Sequence, residues 1–183
     1  MYSPQDILDF WFQEITPSMW WQKDLAFDDN IKQRFGDIYN AARDCALGDS
    51  NGWRTTAQGY LAEIIILDQF SRNIYRDTPQ AFISDPQALT LSQEAIKQGF
   101  DNSLSAVEKS FLYMPFMHSE SLVVHETAVK LYEKNGIQNN LDFELQHKKI
   151  IEKFGRYPHR NIILGRESTP EELAFLQQPN SSF

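Results

Sequence analysis

A single cysteine, Cys45, occurs in 183 residues, so no internal disulfide can form and there is no paired CxxC to hold a metal. Basic residues are in the minority. There are 17 Lys and Arg against 25 Asp and Glu, for a formal net charge of −8, which argues against general nucleic-acid or anionic-membrane binding, since both depend on neutralising phosphates. Long apolar runs are missing too: Ile64 to Leu67 sits between Glu63 and Asp68, far short of the roughly 20 residues that span a bilayer. The opening MYSPQDILDF has neither the basic start nor the apolar centre of a signal peptide. A soluble protein of the reducing cytoplasm is therefore expected. The chain also lacks a Gly-rich phosphate loop, HExxH and G-x-S-x-G, and neither a cofactor nor a metal is expected.

Core-forming material is abundant: 42% of residues are hydrophobic, with 4 Trp, 7 Tyr and 13 Phe. At this length about 70% of the unfolded surface is buried on folding, which predicts one domain over 1–178 and a fraying tail at 179–183. The punctuation is that of successive helices. Ser3-Pro4 opens the first, before Ile7, Leu8, Phe10, Trp11 and Phe12. A second, over 24–47, carries Phe27, Ile31, Phe35, Ile38, Ala42 and Cys45 on one stripe of period 3.6, with Cys45 read as a small core residue. The run 48–52 is a polar turn. Thr55-Thr56 caps a helix over 57–70, whose YLAEIIILDQF is apolar on nearly every side and belongs in the middle of the molecule.

Asp85-Pro86 starts the next helix and Gly99 ends it, while Ser105 to Glu108 matches a capping box. Pro115 should interrupt that piece, and Ser119 should cap a helix running to 133. A loop at 134–140, a helix over 141–154 closed by Gly155, a short one over 158–164 closed by Gly165, and a last one opened by the Thr169–Glu172 capping box complete the reading. No stretch alternates with period two for long. The expected fold is all-α, a single-domain irregular helical array or bundle, without a clean 34-residue repeat. Trp20-Trp21 and Trp53 read as packing.

Several polar residues fall where a core should be. Asp68 and Arg72, four apart in acid-before-base order, suit a helical ion pair, with Arg76 a turn further on; alternatively Arg72 or Arg76 points into a cavity as an anion receptor. His118-Ser119-Glu120 offers a cap with a first-turn acid, or an acid–base pair of His118 with Glu120. His125 and His147 share stripes with apolar neighbours and read as core histidines with satisfied rings. A metal site from His118, Glu120 and His147 is only weakly signalled, and the single Glu144-x-x-His147 falls short of the two copies a di-metal bundle needs. The segment from Arg156 to Asn161, with Lys153 and Arg166, gathers positive charge in an acidic chain. Arg160 and His159 there need a buried acid such as Glu120 or Asp68, or an anionic ligand.

Four segments, ILDFWF, LDQFSRNIYRDTPQAF, FLYMPFMHSE and KFGRYPHRNIILGRESTPEELAFL, together resemble bacterial domain-of-unknown-function family 924 over nearly the whole chain. The resemblance implies an all-helical, tetratricopeptide-like fold and assigns no activity. Ser71 stands where Pro is common in that family, and Tyr157 replaces a frequent Phe. The motif positions include Asp68, Arg72, Asn73, His118, Ser119, Glu120, Arg156, His159, Arg160 and Asn161. The expectation is a polar cleft in which Asp68, Arg72, Asn73, Ser119, Arg156, Arg160 and Asn161 bind a small anionic molecule or an acidic peptide terminus. His118, Glu120 and His159 would orient it or, in an enzyme, act as acid and base in a hydrolase or lyase. A partner-binding module whose buried ion network only fixes helix packing is the third reading.

Overall fold

Every residue from Gly59 to Ser71 is buried, the consequence of a segment with no polar face to turn outward. In the computed structural model, which describes residues 2–48 and 52–182, the chain forms an all-α array around that segment. The helices are α1 (Pro4–Asp9), α2 (Leu25–Arg43), α3 (Ala57–Ile65), α4 (Ser71–Ile74), α5 (Asp85–Lys97), α6 (Ala106–Met117), α7 (Leu122–Asn135), α8 (Gln138–Phe154) and α9 (Pro170–Leu176). Two π turns, Phe10–Glu14 and Ile66–Phe70, prolong α1 and join α3 to α4. Short 3-10 turns fill Pro17–Trp21, Trp53–Thr55, Pro79–Phe82, Phe100–Ser103 and Pro158–Arg160. Among the described residues there is no strand, and no helix is long and apolar enough to cross a membrane.

The rod from α3 to α4 is the axis of the packing: α1, α5 and α6 lie against α3, and α2 lies against the π turn and α4. From α6 onward each helix packs on the next, α6 on α7 and α7 on α8. Aromatic rings fill the space between the first π turn, α2, the rod and α6, with Phe10 and Phe35 centroids 4.7 Å apart, Phe35 and Phe70 4.9 Å, and Trp11 and Phe111 5.7 Å. Rings this large dominate the burial energy of a small domain. Gly59 sits where α3 meets the chain before it. A Cβ there would stand 1.7 Å from the Trp53 carbonyl oxygen, so only glycine fits.

The caps fall where the side chains predict them. Ser3, Asp24, Thr56, Ser105 and Thr169 each accept from backbone N–H groups of the helix they open, and Ser3, Ser105 and Thr169 close capping boxes with Asp6, Glu108 and Glu172.

Several boundaries differ from expectation. Pro115 lies inside α6, which runs on to Met117, because a proline so near the C-terminus removes only one hydrogen bond before the helix ends anyway. Ser119 still belongs to the turn ending α6, its N–H bonding to Phe116 O, and α7 starts after Ser121. The loop expected at 134–140 shrinks to Gly136 and Ile137, since Gly136 at φ +81° reverses the chain at once and α8 begins at Gln138. The piece at 158–164 is one 3-10 turn followed by turns rather than a helix. Cys45 is exposed, past the end of α2 at φ 59°, and not a core residue. Trp21 is 65% exposed, whereas Trp53 is buried. Of the polar turn at 48–52, residues 49–51 lie outside the described residues. Near the end of the described residues, Ser181 is buried and its hydroxyl donates to Leu176 O at 3.1 Å.

Candidate functional site

A π turn closes an i→i+5 ring instead of i→i+4, which disturbs the local carbonyl ladder and commonly marks functional positions. Asp68 lies in such a turn, 1% exposed. Its carbonyl oxygen accepts from the Ser71 hydroxyl at 3.1 Å and from Arg72 Nη1 at 2.6 Å. Its carboxylate accepts from His118 Nδ1 at 2.7 Å on one oxygen and from Gln69 Nε2 at 2.5 Å on the other, with Arg72 Nη1 3.4 Å away. Burial alone would raise the Asp68 carboxyl. In the acid range where it would titrate, the charge of a protonated His118, then that of Arg72, and the donated hydrogen bonds outweigh it and hold the group well below the usual carboxylate range.

His118 terminates α6, and α6 packs on α3, which carries the imidazole to Asp68. Because the ionised Asp68 can only accept, Nδ1 of His118 carries the hydrogen and Nε2 keeps its lone pair. Burial, and after it the nearby Arg72, lowers the imidazole's proton affinity below the ordinary histidine value, despite the pull of Asp68. His118 is therefore neutral at pH 7. Nothing among the described residues bonds to Nε2, and the side chain lines a cleft of about 650 Å³.

The floor and walls of that cleft come from three stretches of chain. Pro79, Phe82, Ile83, Asp85 and Pro86 form one side, Pro115, His118, Ser119 and Glu120 another, and Arg160 and Leu164 a third. Asp85, at the start of α5, ties them together. Arg72 Nη1 and Nη2 donate to its two oxygens at 3.0 and 3.1 Å, and Arg160 Nη1 reaches Oδ2 at 3.3 Å. Arg160 also donates to His118 O at 3.1 Å, and its guanidinium lies 4.6 Å from the Phe82 ring centroid and 4.8 Å from that of Tyr157. Burial and the like charge of Arg72 push the Arg160 guanidinium below its ordinary value. Sequence reading took Asp85 only as a helix start. No local signal links it to arginines 13 residues before and 75 residues after it.

The structure thus brings Asp68, Arg72, His118, Ser119, Glu120 and Arg160 to one place, and it separates the remaining candidates from them. The expected acid–base pair of His118 with Glu120 is not formed. Glu120 is taken by Arg166 Nη1 and Nη2 at 2.7 and 2.9 Å and by the Tyr157 N–H at 2.8 Å. Asn73 donates to Asp28 at 2.8 Å, alongside Arg76. Arg156 pairs two-pronged with Glu172 at 2.7 and 2.8 Å, and Asn161 donates to the same carboxylate and to Ser168. This second network fastens α9 to the turn at 158–160, away from the cleft. His159 lines another cavity with Arg166, Glu167 and Leu173. Among the described residues no three His, Cys, Asp or Glu side chains gather as a metal would require, so His118, Glu120 and His147 do not form a metal triad.

His125 and His147 are core residues. His125 Nε2 donates to Ser119 O at 2.8 Å and its Nδ1 lies 2.7 Å from Glu144 Oε1, while His147 Nδ1 donates to Phe143 O at 2.7 Å. Burial pushes the Glu144 carboxyl up. Ser71 and Tyr157 make polar contacts at the site's edge: the Ser71 hydroxyl donates to Asp68 O, and the Tyr157 hydroxyl donates to Met117 O at 2.5 Å.

No curated protein matches the chain. Among solved structures it is similar to one described as "Structure of Protein of Unknown Function ATU0120 from Agrobacterium tumefaciens", with a TM-score of 0.89 and 40% identity over 95% of this chain and 96% of that one. The family model described as "Bacterial protein of unknown function (DUF924)" matches residues 7–180. The chain belongs to this DUF924 family.

Proposed function

We propose that the cleft is an acid–base site acting on a small molecule, with His118 as the base. The carrying observation is the 2.7 Å contact between His118 Nδ1 and the buried carboxylate of Asp68, which leaves Nε2 without a partner among the described residues on a side chain that lines a cleft of ligand size. In this role Nε2 takes a proton from a water or a substrate group, and the resulting imidazolium is stabilised by Asp68 and returns the proton to the departing group. That sequence serves hydrolysis or elimination, so the reaction class is a hydrolase or a lyase. Asp68 is a positioning residue: it fixes the tautomer and is itself held by Gln69 and Arg72. Glu120, paired with Arg166, contributes to the cleft's field and not to proton transfer.

The His118 side chain is 15% exposed beside the buried Asp68 carboxylate, an arrangement that supports a reactive role over a purely structural network. In keeping with this reading, a single cysteine and an acidic composition suit a cytoplasmic enzyme of small metabolites. The succession α6, α7, α8, each packed on its neighbour, supports a tetratricopeptide-like origin for that half.

The test is a panel of small esters, amides, lactones and hydroxy acids, run with chelator present, on wild type and His118→Asn. Turnover by wild type that His118→Asn loses is expected. Silence of pure wild-type protein across the panel, or equal turnover by the variant, would refute the proposal.

A further inference from the structure

Two guanidinium groups share one carboxylate at the floor of the cleft. Arg72 takes both oxygens of Asp85, and it also stands 3.4 Å from Asp68. Arg160 is left with a 3.3 Å contact to Asp85 Oδ2 and a carbonyl, His118 O. A guanidinium has five N–H donors. Arg160 is 6% exposed; its Nε–H is sealed from solvent and has no partner among the described residues, while Nη1 and Nη2, with two N–H groups each, make one hydrogen bond apiece, to Asp85 and to His118 O. A buried cation so incompletely satisfied is costly unless something else completes it. The planar group is also held with rings 4.6 and 4.8 Å away, and a fixed planar fork matches the paired oxygens of a carboxylate or a phosphate.

The rest of the cleft narrows the choice. Pro79, Phe82, Ile83, Leu89 and Leu164 give it an apolar wall beside the cation. Asp85 and Glu120 also line it, both carrying negative charge that repels a dianion more than a monoanion. Phosphate fits such a floor poorly, and an apolar body has nowhere to sit if the ligand is phosphate alone. A cavity of about 650 Å³ is within the range of small-molecule sites.

We infer that the substrate of this cleft is a small monocarboxylate, its carboxylate held by Arg160 beside His118 and its body laid along Phe82, Ile83 and Leu89. The inference rests on the acid–base reading of the same cleft and adds to it the chemical class that is bound.

The test is calorimetric titration of the full chain with hexanoate, benzoate and phenylacetate, with the matched primary amides, and with inorganic phosphate. At least tenfold tighter binding of the carboxylates than of their amides or of phosphate is expected. Arg160→Gln should erase that preference, and Arg160→Lys should restore part of it. Because a variant at a buried arginine can misfold, Ile83→Glu serves as the second probe. Ile83 is 64% exposed, so this change leaves the core alone, and it should weaken carboxylate binding at least tenfold. Equal binding of acids and amides, tighter binding of phosphate, no binding of any probe, or unchanged affinity in Ile83→Glu would each overturn the inference.

The two proposals fail separately. Selective carboxylate binding with turnover that survives His118→Asn would refute the acid–base reading and leave the bound class standing. Turnover that requires His118, with amides bound as well as acids, would refute the class alone.

Discussion

Lowering the pH from 7 to 5 should cost the fold about 4 kcal/mol through two histidines that it cannot easily charge. His147 and His159 are both pushed from the ordinary 6.5 down to about 3, first by burial and then by surrounding groups, Arg160 among them for His159. A base whose folded value is depressed binds its proton more readily in the unfolded chain. Its stabilising contribution is therefore complete above the ordinary value of 6.5 and is lost as the pH falls toward 3. At pH 5 the gap already realised is about 1.5 units, or about 2 kcal/mol for each histidine. His118, lowered for the same reason, acts in the same direction.

Glu144 acts oppositely, because its raised carboxyl takes up a proton in the folded state first and so recovers part of the loss as the pH falls. Glu172, held at about 2 by Arg156, enters only below pH 4.5. Urea unfolding followed by tryptophan fluorescence at pH 7, 6 and 5 measures the effect. With a slope of about 2 kcal/mol per molar urea, the midpoint should fall by about 2 M at unchanged slope. His147→Asn should remove about half of the dependence. A midpoint that stays constant from pH 7 to 5, or a dependence that His147→Asn leaves intact, would refute the reasoning.

Asp68→Asn should lower turnover at least about 100-fold with little change in fold, because the amide N–H now faces His118 Nδ1 and drives the hydrogen to Nε2, removing the base. In wild type the acid limb of the rate should inflect below pH 6.5, since the His118 value is lowered; an inflection above 6.5 would contradict the assigned environment. Gly59→Ala should destabilise the protein by about 3 kcal/mol or more, because its Cβ meets the Trp53 carbonyl at 1.7 Å and backbone must move to admit it. Thermal unfolding reads this directly. Arg156→Ala should leave the cleft intact yet release α9, seen as faster amide exchange confined to 167–177, since Arg156 is what anchors the buried Glu172 carboxylate.

Helices were legible because their signals are local. Thr56, Ser105 and Thr169 open helices where their side chains can accept the first N–H groups, and Gly155 closes one at φ +68°. The unbroken apolar stretch before Asp68 placed its own helix at the centre. Boundaries failed where two local signals competed. Ser119 has a capping side chain but cannot open α7, because its N–H still closes the end of α6 on Phe116 O; α7 starts after Ser121, whose side chain makes no cap hydrogen bond. Cys45 matched the apolar stripe of α2, but the helix ends two residues earlier and the left-handed turn carries it outward.

At the candidate site, the chain alone supplied the reacting residue types: a histidine after an apolar helix, an acid and arginines one turn apart, and a second cluster of positive charge. It could not supply their pairing. His118 was free to answer Glu120, two residues away, yet it lies 2.7 Å from Asp68, 50 residues before it, while Glu120 goes to Arg166. Asp85 joins Arg72 and Arg160 only because α5, the rod and the turn at 158–160 converge. Helix propensity, capping and amphipathic periodicity act between neighbours in sequence, so they are written into the sequence itself. Which carboxylate meets which cation is decided by helix packing, where the cost of burying an unpaired charge selects among partners that no local rule distinguishes.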